Sequence, residues 1–355
     1  MTAVSLDDAD LVRRLDPTGL LGRIEALPEQ CRDAWEQGRT IELSRAFGRV
    51  DSVVVCGMGG SAIGGDIVRA LANRLCHVPV VVLRGYDLPG WVGSRTLAVF
   101  CSASGNTEET LAAFDRALDT DAPKIVITQG GRLLEEARAN GIAAIQYRYD
   151  GEPRSGLGYG LMLLLAALQR TGLVEDIDDD VTEAVATLVG QREELGFAAP
   201  EERNPAKRMA RRLHGRLPVI VGADVLAEAA HRWATQIHEN GKQWAFWQEL
   251  PELNHNLVEG FDRPADVVER LVVVFLAHPQ LHPRVRLRYD ITRELLDAAG
   301  VASETVTARG SSPLAQALSA IQFGDYVSFY LAMLNGVNPS PVPRIDVLKR
   351  RLSES

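Results

Sequence analysis

The chain has 355 residues, 46% of them hydrophobic and 24% charged, a globular balance long enough for two domains. A formal net charge of −9 and a pI of about 5.4 give it no bulk attraction for nucleic acid or an anionic membrane. The opening MTAVSLDDADLVRRLDP is acidic and lacks the apolar core of a signal peptide, and the longest apolar run, Gly156–Leu168, falls short of the ~18 residues that span a bilayer. A cytoplasmic protein is expected.

Leu11 to Gln37 reads as an amphipathic helical lead-in, interrupted near Pro17 and Gly19. SVVVC, ending at Cys56, is a fully apolar strand. It runs into the glycine-rich turn GMGGSAIGGD, Gly57–Asp66, and a helix. VPVVVLRGYDLP then gives a strand and loop, TLAVFCSASGNTEETLAAFDRAL a strand, loop and helix, PKIVITQGGRLLEEARANG the same again, and AAIQYRY a further strand. Strands that are apolar throughout, alternating with helices, predict a parallel sheet covered on both faces. A second pass begins near Leu217: LPVIVGADVLAEAAHRWATQI matches the first strand and turn, with Gly222 in the place of Gly57. WAFWQELPEL, LVVVFLAH and ETVTARGSSPLAQALSAI follow in the same order as their first-pass counterparts, which indicates a duplicated α/β unit. The polar helical stretch from Glu175 to Arg212 links the two.

Cys31, Cys56, Cys76 and Cys101 include no C-x-x-C pair and are expected as buried thiols, without disulfides or zinc. His278 and His282 have a metal-like i, i+4 spacing, but the prolines of HPQLHP break the helix that would align them. No metal site is expected. Trp244, Phe246 and Trp247 read as core or interface residues.

The first turn satisfies G-x-G-x-x-A from Gly57 to Ala62, a weak dinucleotide fingerprint, yet the second strand ends at Arg84 where a ribose-binding acid would stand. No G-x-x-x-x-G-K-[ST] is present, so a P-loop is unsupported. CSASGNTEET offers the hydroxyls of Ser102, Ser104 and Thr107 just before a helix. Hydroxyls and backbone N–H groups at a helix start make a phosphate trap, and with Gly59, Gly60 and Ser61 they are the candidate cradle for one small phosphate. The plainer alternative is helix capping by Ser104 and Thr107.

The motifs GMGGSAIGGD, SASGNTEET, PRSGLGY, HENGK and ELNHN, in that order, resemble the bifunctional phosphoglucose/phosphomannose isomerases, double sugar-isomerase (SIS) proteins, from about Ser44 to Lys349. The resemblance implies an α/β fold of two SIS domains, each a five-stranded parallel sheet in an αβα sandwich. The expected divisions are a lead-in over 1–45, the first SIS domain over 46–172, a linker over 173–212, the second SIS domain over 213–338 and a tail over 339–355 that reaches the active site. It implies metal-free, cofactor-free isomerisation of hexose 6-phosphates through a cis-enediolate. It casts Glu239 as the base that moves a proton between C2 and C1, His255 as the ring-opening residue, Arg154 as the cation near the enediolate and Lys349 as an aid at the ring oxygens. The alternative for Arg154 is a surface ion pair with Glu152 or Asp150. The only lysines are Lys124, Lys207, Lys242 and Lys349, so an arginine-rich chain keeps an ammonium at Lys349. Relatives imply a homodimer whose sites take the histidine from the neighbouring subunit. Ala103 departs from the family's usual aromatic, and Ser340 is the candidate for the residue that accommodates the mannose epimer. The competing readings are a phosphosugar-sensing SIS regulator and a nicotinamide-dependent dehydrogenase.

Overall fold

The computed structural model describes residues 4–354. In chain order its elements are α1 (Ala9–Leu15), α2 (Leu20–Glu25), α3 (Leu27–Arg39), β1 (Ser52–Cys56), α4 (Gly59–Leu75), β2 (Val80–Leu83), β3 (Thr96–Ser102), α5 (Glu108–Leu118), β4 (Lys124–Thr128), α6 (Gly131–Ala139), β5 (Ala143–Gln146) and α7 (Leu157–Thr171). They continue with α8 (Asp178–Leu195), α9 (Pro205–Leu213), β6 (Leu217–Gly222), α10 (Val225–Glu239), β7 (Phe246–Glu249), α11 (Ala265–Val268), β8 (Leu271–Ala277), α12 (Pro283–Ala298), β9 (Ala302–Thr307), α13 (Pro313–Leu334) and α14 (Pro343–Ser353). The chain forms two compact units: Ala26–Val189 with Arg309–Ser319, and Gly190–Ala308 with Met1–Glu25 and Ala320–Ser355. No helix among the described residues is long and apolar enough to cross a membrane.

The first unit is built on a parallel sheet of order β2-β1-β3-β4-β5. Every residue of β3 is buried, as expected of a central strand with helices on both faces. One face packs Val54, Cys56, Phe100 and Val126 against Leu111, Phe114, Leu133 and Ala137 of α5 and α6, with Phe100 and Phe114 edge to face at 5.1 Å. Cys31, Cys56 and Cys101 are buried and all four thiols are free. Burial pushes each of these three thiols up to about 12.

The second unit has a parallel sheet of order β7-β6-β8-β9. Four strands stand where five were expected. In the first unit β4 is followed by α6, β5 and then α7, whereas β9 leads after five residues into α13, a single 22-residue helix. The chain therefore leaves no stretch for a strand beside β9. Behind the sheet, Arg232 of α10 and Asp325 of α13 form a buried ion pair at 2.9 Å, and the Trp233 indole donates to the Ala320 carbonyl at 2.8 Å. β7 is an edge strand, and Trp244, Phe246 and Trp247 around it are surface residues, not core, at 73%, 47% and 37% exposure.

Three of the four lysines are structural. Lys124 donates to the carbonyls of Thr120 and Ala122. Buried Lys207 donates to those of Phe197 and Ala199 and pairs with Asp7 at 2.8 Å. Lys242, at a left-handed φ of +52°, donates to the carbonyls of Glu239, Pro339 and Pro341.

Candidate active site

Within the first unit the chain leaves β1 at Gly57, where a Cβ would lie 2.9 Å from the Cys101 carbonyl oxygen. α4 opens at Gly59 with a φ of +51°, a conformation that favours glycine. A Cβ on Gly60 would lie 3.1 Å from the Pro153 carbonyl oxygen and 3.2 Å from the Arg154 Cα. Glycine thus lets the 3-10 turn Pro153–Gly156 lie against the helix start. Arg154 is buried there and not on the surface. The turn is braced by Ser155, whose hydroxyl accepts from the Tyr149 hydroxyl at 2.7 Å and donates to the Glu152 carbonyl at 2.8 Å. The first turn of α4 carries no acidic residue, so its positive end is not answered by its own side chains.

The loop after β3 lies alongside. The Ser102 and Thr107 hydroxyls are 2.9 Å apart. Gly105 N–H donates to Ser102 Oγ at 3.1 Å and Asn106 N–H to Ser104 Oγ at 3.2 Å. Ala103 N–H donates to Ser61 Oγ at 3.3 Å, which joins this loop to the glycine turn. Thr107 occupies the N-cap of α5, yet its side chain makes no capping bond, so capping does not account for it. Gly59, Gly60, Ser61, Ser102, Ser104, Thr107 and Arg154 are therefore gathered at the carboxyl end of β1 and β3, where ligands of open α/β sheets bind.

A third wall was not anticipated from the sequence. Arg132 N–H donates to Asn106 Oδ1 at 3.0 Å, Leu133 N–H to the Gly105 carbonyl at 2.9 Å and Gln129 N–H to the Ala103 carbonyl at 3.3 Å. At Gly131, with φ +69°, a Cβ would fall 2.5 Å from the Ser104 carbonyl oxygen. The Gly-Gly pair after β4 was the available signal. At the end of β2, Arg84 is ion-paired with Asp66, so no acid is offered there for a dinucleotide ribose.

In the second unit Glu239 is the last residue of α10 and half-buried. The Lys242 ammonium spans from the Glu239 carbonyl to those of Pro339 (3.2 Å) and Pro341 (2.6 Å), pinning the helix end to the segment before α14. His255 ends the 3-10 turn Glu252–His255 and is exposed. Its neighbour Asn254 donates to Thr292 Oγ1 at 2.8 Å and accepts from Arg288 at 3.2 Å, both on α12. Lys349 is exposed on α14. Ser340 is buried, its hydroxyl 2.6 Å from that of Thr18. Glu239, His255 and Lys349 thus stand on three separate elements of this unit. His282 Nδ1 accepts from Arg284 N–H at the start of α12, and His278 lies before that helix, so the two imidazoles share no helical face.

Residues 202–352 match the model of the bacterial phospho-glucose isomerase C-terminal SIS domain. The chain is 40% identical over 329 residues, 92% of its length and 97% of the relative's, to a bifunctional phosphoglucose/phosphomannose isomerase of Caldicellulosiruptor bescii. It is 34% identical to the protein of that name from Aquifex aeolicus, covering 85% of this chain and 90% of that one. Among solved structures, a hypothetical protein from Thermus thermophilus superposes with a TM-score of 0.73 at 20% identity, covering 97% of this chain and 92% of that one. With two parallel SIS-type sheets and a relative this similar across nearly its whole length, the chain belongs to the bifunctional phosphoglucose/phosphomannose isomerase family.

Proposed function

We propose that the protein interconverts glucose 6-phosphate and mannose 6-phosphate with fructose 6-phosphate. The observation that carries this reading is the pair of joined loops in the first unit, where Ser61, Ser102, Ser104 and Thr107 present hydroxyls beside a helix start without acidic residues. Such a group suits a phosphate monoester. Glu239 takes the C2 proton and returns it to C1 through a cis-enediolate. Arg154 steadies the developing oxyanion, His255 opens the sugar ring and Lys349, in the tail, assists at the ring oxygens. Family membership favours this over a phosphosugar-sensing regulator. The Arg84–Asp66 pair at the end of β2 speaks against a dinucleotide site.

The test is a coupled assay with glucose 6-phosphate and mannose 6-phosphate side by side. Turnover of either supports the reading, and turnover of neither overturns it. The route has no metal-dependent step, so EDTA leaves the rate unchanged. We further propose a cytoplasmic homodimer in which Glu239 of one chain works with His255 of the other. Mixing Glu239→Gln and His255→Ala subunits with proven exchange then restores roughly a quarter of wild-type activity, since about half the dimers are mixed and each has one intact site. Background activity in the mixture would sink the shared site.

A further inference from the structure

α10 and α13 are tied to one another by buried polar side chains at two levels. At the first, the Trp233 indole that donates to the Ala320 carbonyl also stacks on Phe323, with ring centroids 5.7 Å apart. Gly324 admits it, since a Cβ there would fall 2.3 Å from the indole nitrogen. At the second, Asn240 Nδ2 donates to Ser328 Oγ at 3.0 Å, and the Ser328 hydroxyl donates to the Asp325 carbonyl at 2.7 Å. The ties are seven residues apart on α10 and eight on α13. The helices therefore run in the same direction and are joined at points roughly 10–12 Å apart along their axes. Asn240 and Ser328 are both fully buried. Asn240 is the C-cap of α10 and follows Glu239 directly.

Given the reading of Glu239 as the base, on which this rests, we infer that Asn240, held by Ser328, is a positioning residue that fixes the direction of Glu239. A buried hydrogen-bonded pair adds little to stability over an apolar pair of the same shape. What it adds is register, because a satisfied polar pair specifies one arrangement of the elements that carry it. Register matters at this helix end. Turning α10 by one residue would swing Glu239 through about 100°, and a base that serves both C1 and C2 must hold its place to within roughly 0.5 Å. The Trp233 tie fixes where α10 lies along α13. The Asn240 tie, one residue from the base, fixes how the last turn is wound. The chain beyond is clamped as well. Asn335 Nδ2 donates to the Gly241 carbonyl at 2.8 Å, and Gln243 Nε2 donates to the carbonyls of Leu213 and Arg216 at 3.0 and 2.8 Å.

The test is a double-mutant cycle on the full chain, with kcat and KM for glucose 6-phosphate measured on protein shown by its thermal melt to be folded at the assay temperature. Ser328→Ala and Asn240→Ala each lower kcat about ten- to a hundredfold, the scale of a misplaced reacting group, while KM stays within about twofold. The combination lowers kcat no further than the worse single variant, because both remove one tie. Ser328→Ala, the milder change, carries the test should Asn240→Ala fail to fold. A wild-type kcat in folded Ser328→Ala, a KM that rises with the loss of rate, or single losses that multiply in the combination overturns the inference. Glu239→Gln is assayed beside them for proton exchange at C2. Exchange at the wild-type rate there overturns the base and the positioning residue together. An inactive Glu239→Gln beside a fully active Ser328→Ala keeps the base and removes only the tie.

Discussion

The turns after β1 and after β6 occupy equivalent places in two copies of one scaffold, and they differ in charge. Both leave an apolar central strand at a glycine with no room for a side chain: a Cβ would lie 2.9 Å from the Cys101 carbonyl oxygen at Gly57 and 2.1 Å from the Leu226 carbonyl oxygen at Gly222. Beyond that point α4 opens with no acid in its first turn, while α10 has Asp224 at its N-cap, at φ +56°, and Glu228 in its first turn. A helix start furnished with carboxylates is answered by its own chain, whereas a bare one keeps its N–H groups for an external anion. The two copies share the order of their first four strands and, in the proposed reading, divide the chemistry between them. The first copy carries the proposed phosphate cradle, and the second carries the proposed base at the far end of its helix.

That division can be broken at several points. The largest effect is expected in the second copy. Glu239→Gln should lower isomerisation by about 10²–10⁴-fold, the span of general acid–base catalysis, while phosphosugar affinity holds. Proton exchange at C2, followed by NMR in deuterated water, is the readout, and exchange at the wild-type rate would move the base to another carboxylate. Next come the first-copy hydroxyls. Ser104→Ala and Thr107→Ala should each raise KM about ten- to hundredfold, from roughly 1.5–3 kcal/mol per charge-assisted hydrogen bond, with kcat little changed. Asp224→Asn in the second copy should leave KM where it was, and an equal rise there would erase the asymmetry.

A smaller contrast concerns pH, because all four cysteines belong to the first unit. Burial holds the Cys31, Cys56 and Cys101 thiols at about 12, with minor contributions from Glu29 at Cys31 and Cys101 at Cys56. Unfolded thiols ionise near about 8.5, so above that pH the unfolded chain binds fewer protons than the folded one. Stability is full below about pH 8.5 and falls between there and about pH 12. Melting temperatures measured at pH 7.5, 9 and 10 should decline, and Cys101→Ala should flatten the decline. The smallest effect is expected at Ser340→Ala. Loss of the hydroxyl pair with Thr18 should cost about 1 kcal/mol in urea unfolding.

Much of this was legible along the chain. β1, β3 and β4 are apolar at nearly every position because helices cover both faces, and that pattern needs no partner to be read. The hydroxyl loop was visible for a similar reason, since Ser102, Ser104 and Thr107 lie within six consecutive residues. Its third wall was hidden because the contact of Gly131 with the Ser104 carbonyl joins separate elements. The missing fifth strand was hidden because β9 resembles β4 locally, and only the unbroken run of α13 reveals that nothing follows it in the sheet. Trp244, Phe246 and Trp247 read as core or interface residues by type, and the structure rules out the core half of that reading by placing them on the surface, on or just before an edge strand. Lysine scarcity points to function along the chain, yet for three of the four residues the ammonium serves main-chain carbonyls.

The placement of those lysines makes the molecule unusually selective toward reagents that recognise a primary amine. Lys207 is fully buried, Lys124 and Lys242 are half-buried with their nitrogens engaged, and Lys349 stands exposed on the last helix. Among side-chain amines, acylation of the folded protein, cleavage by a lysine-directed protease or coupling to an activated support should therefore begin at Lys349. α14 is in this sense a built-in chemical handle, and a molecule tethered through it would present one orientation to whatever flows past.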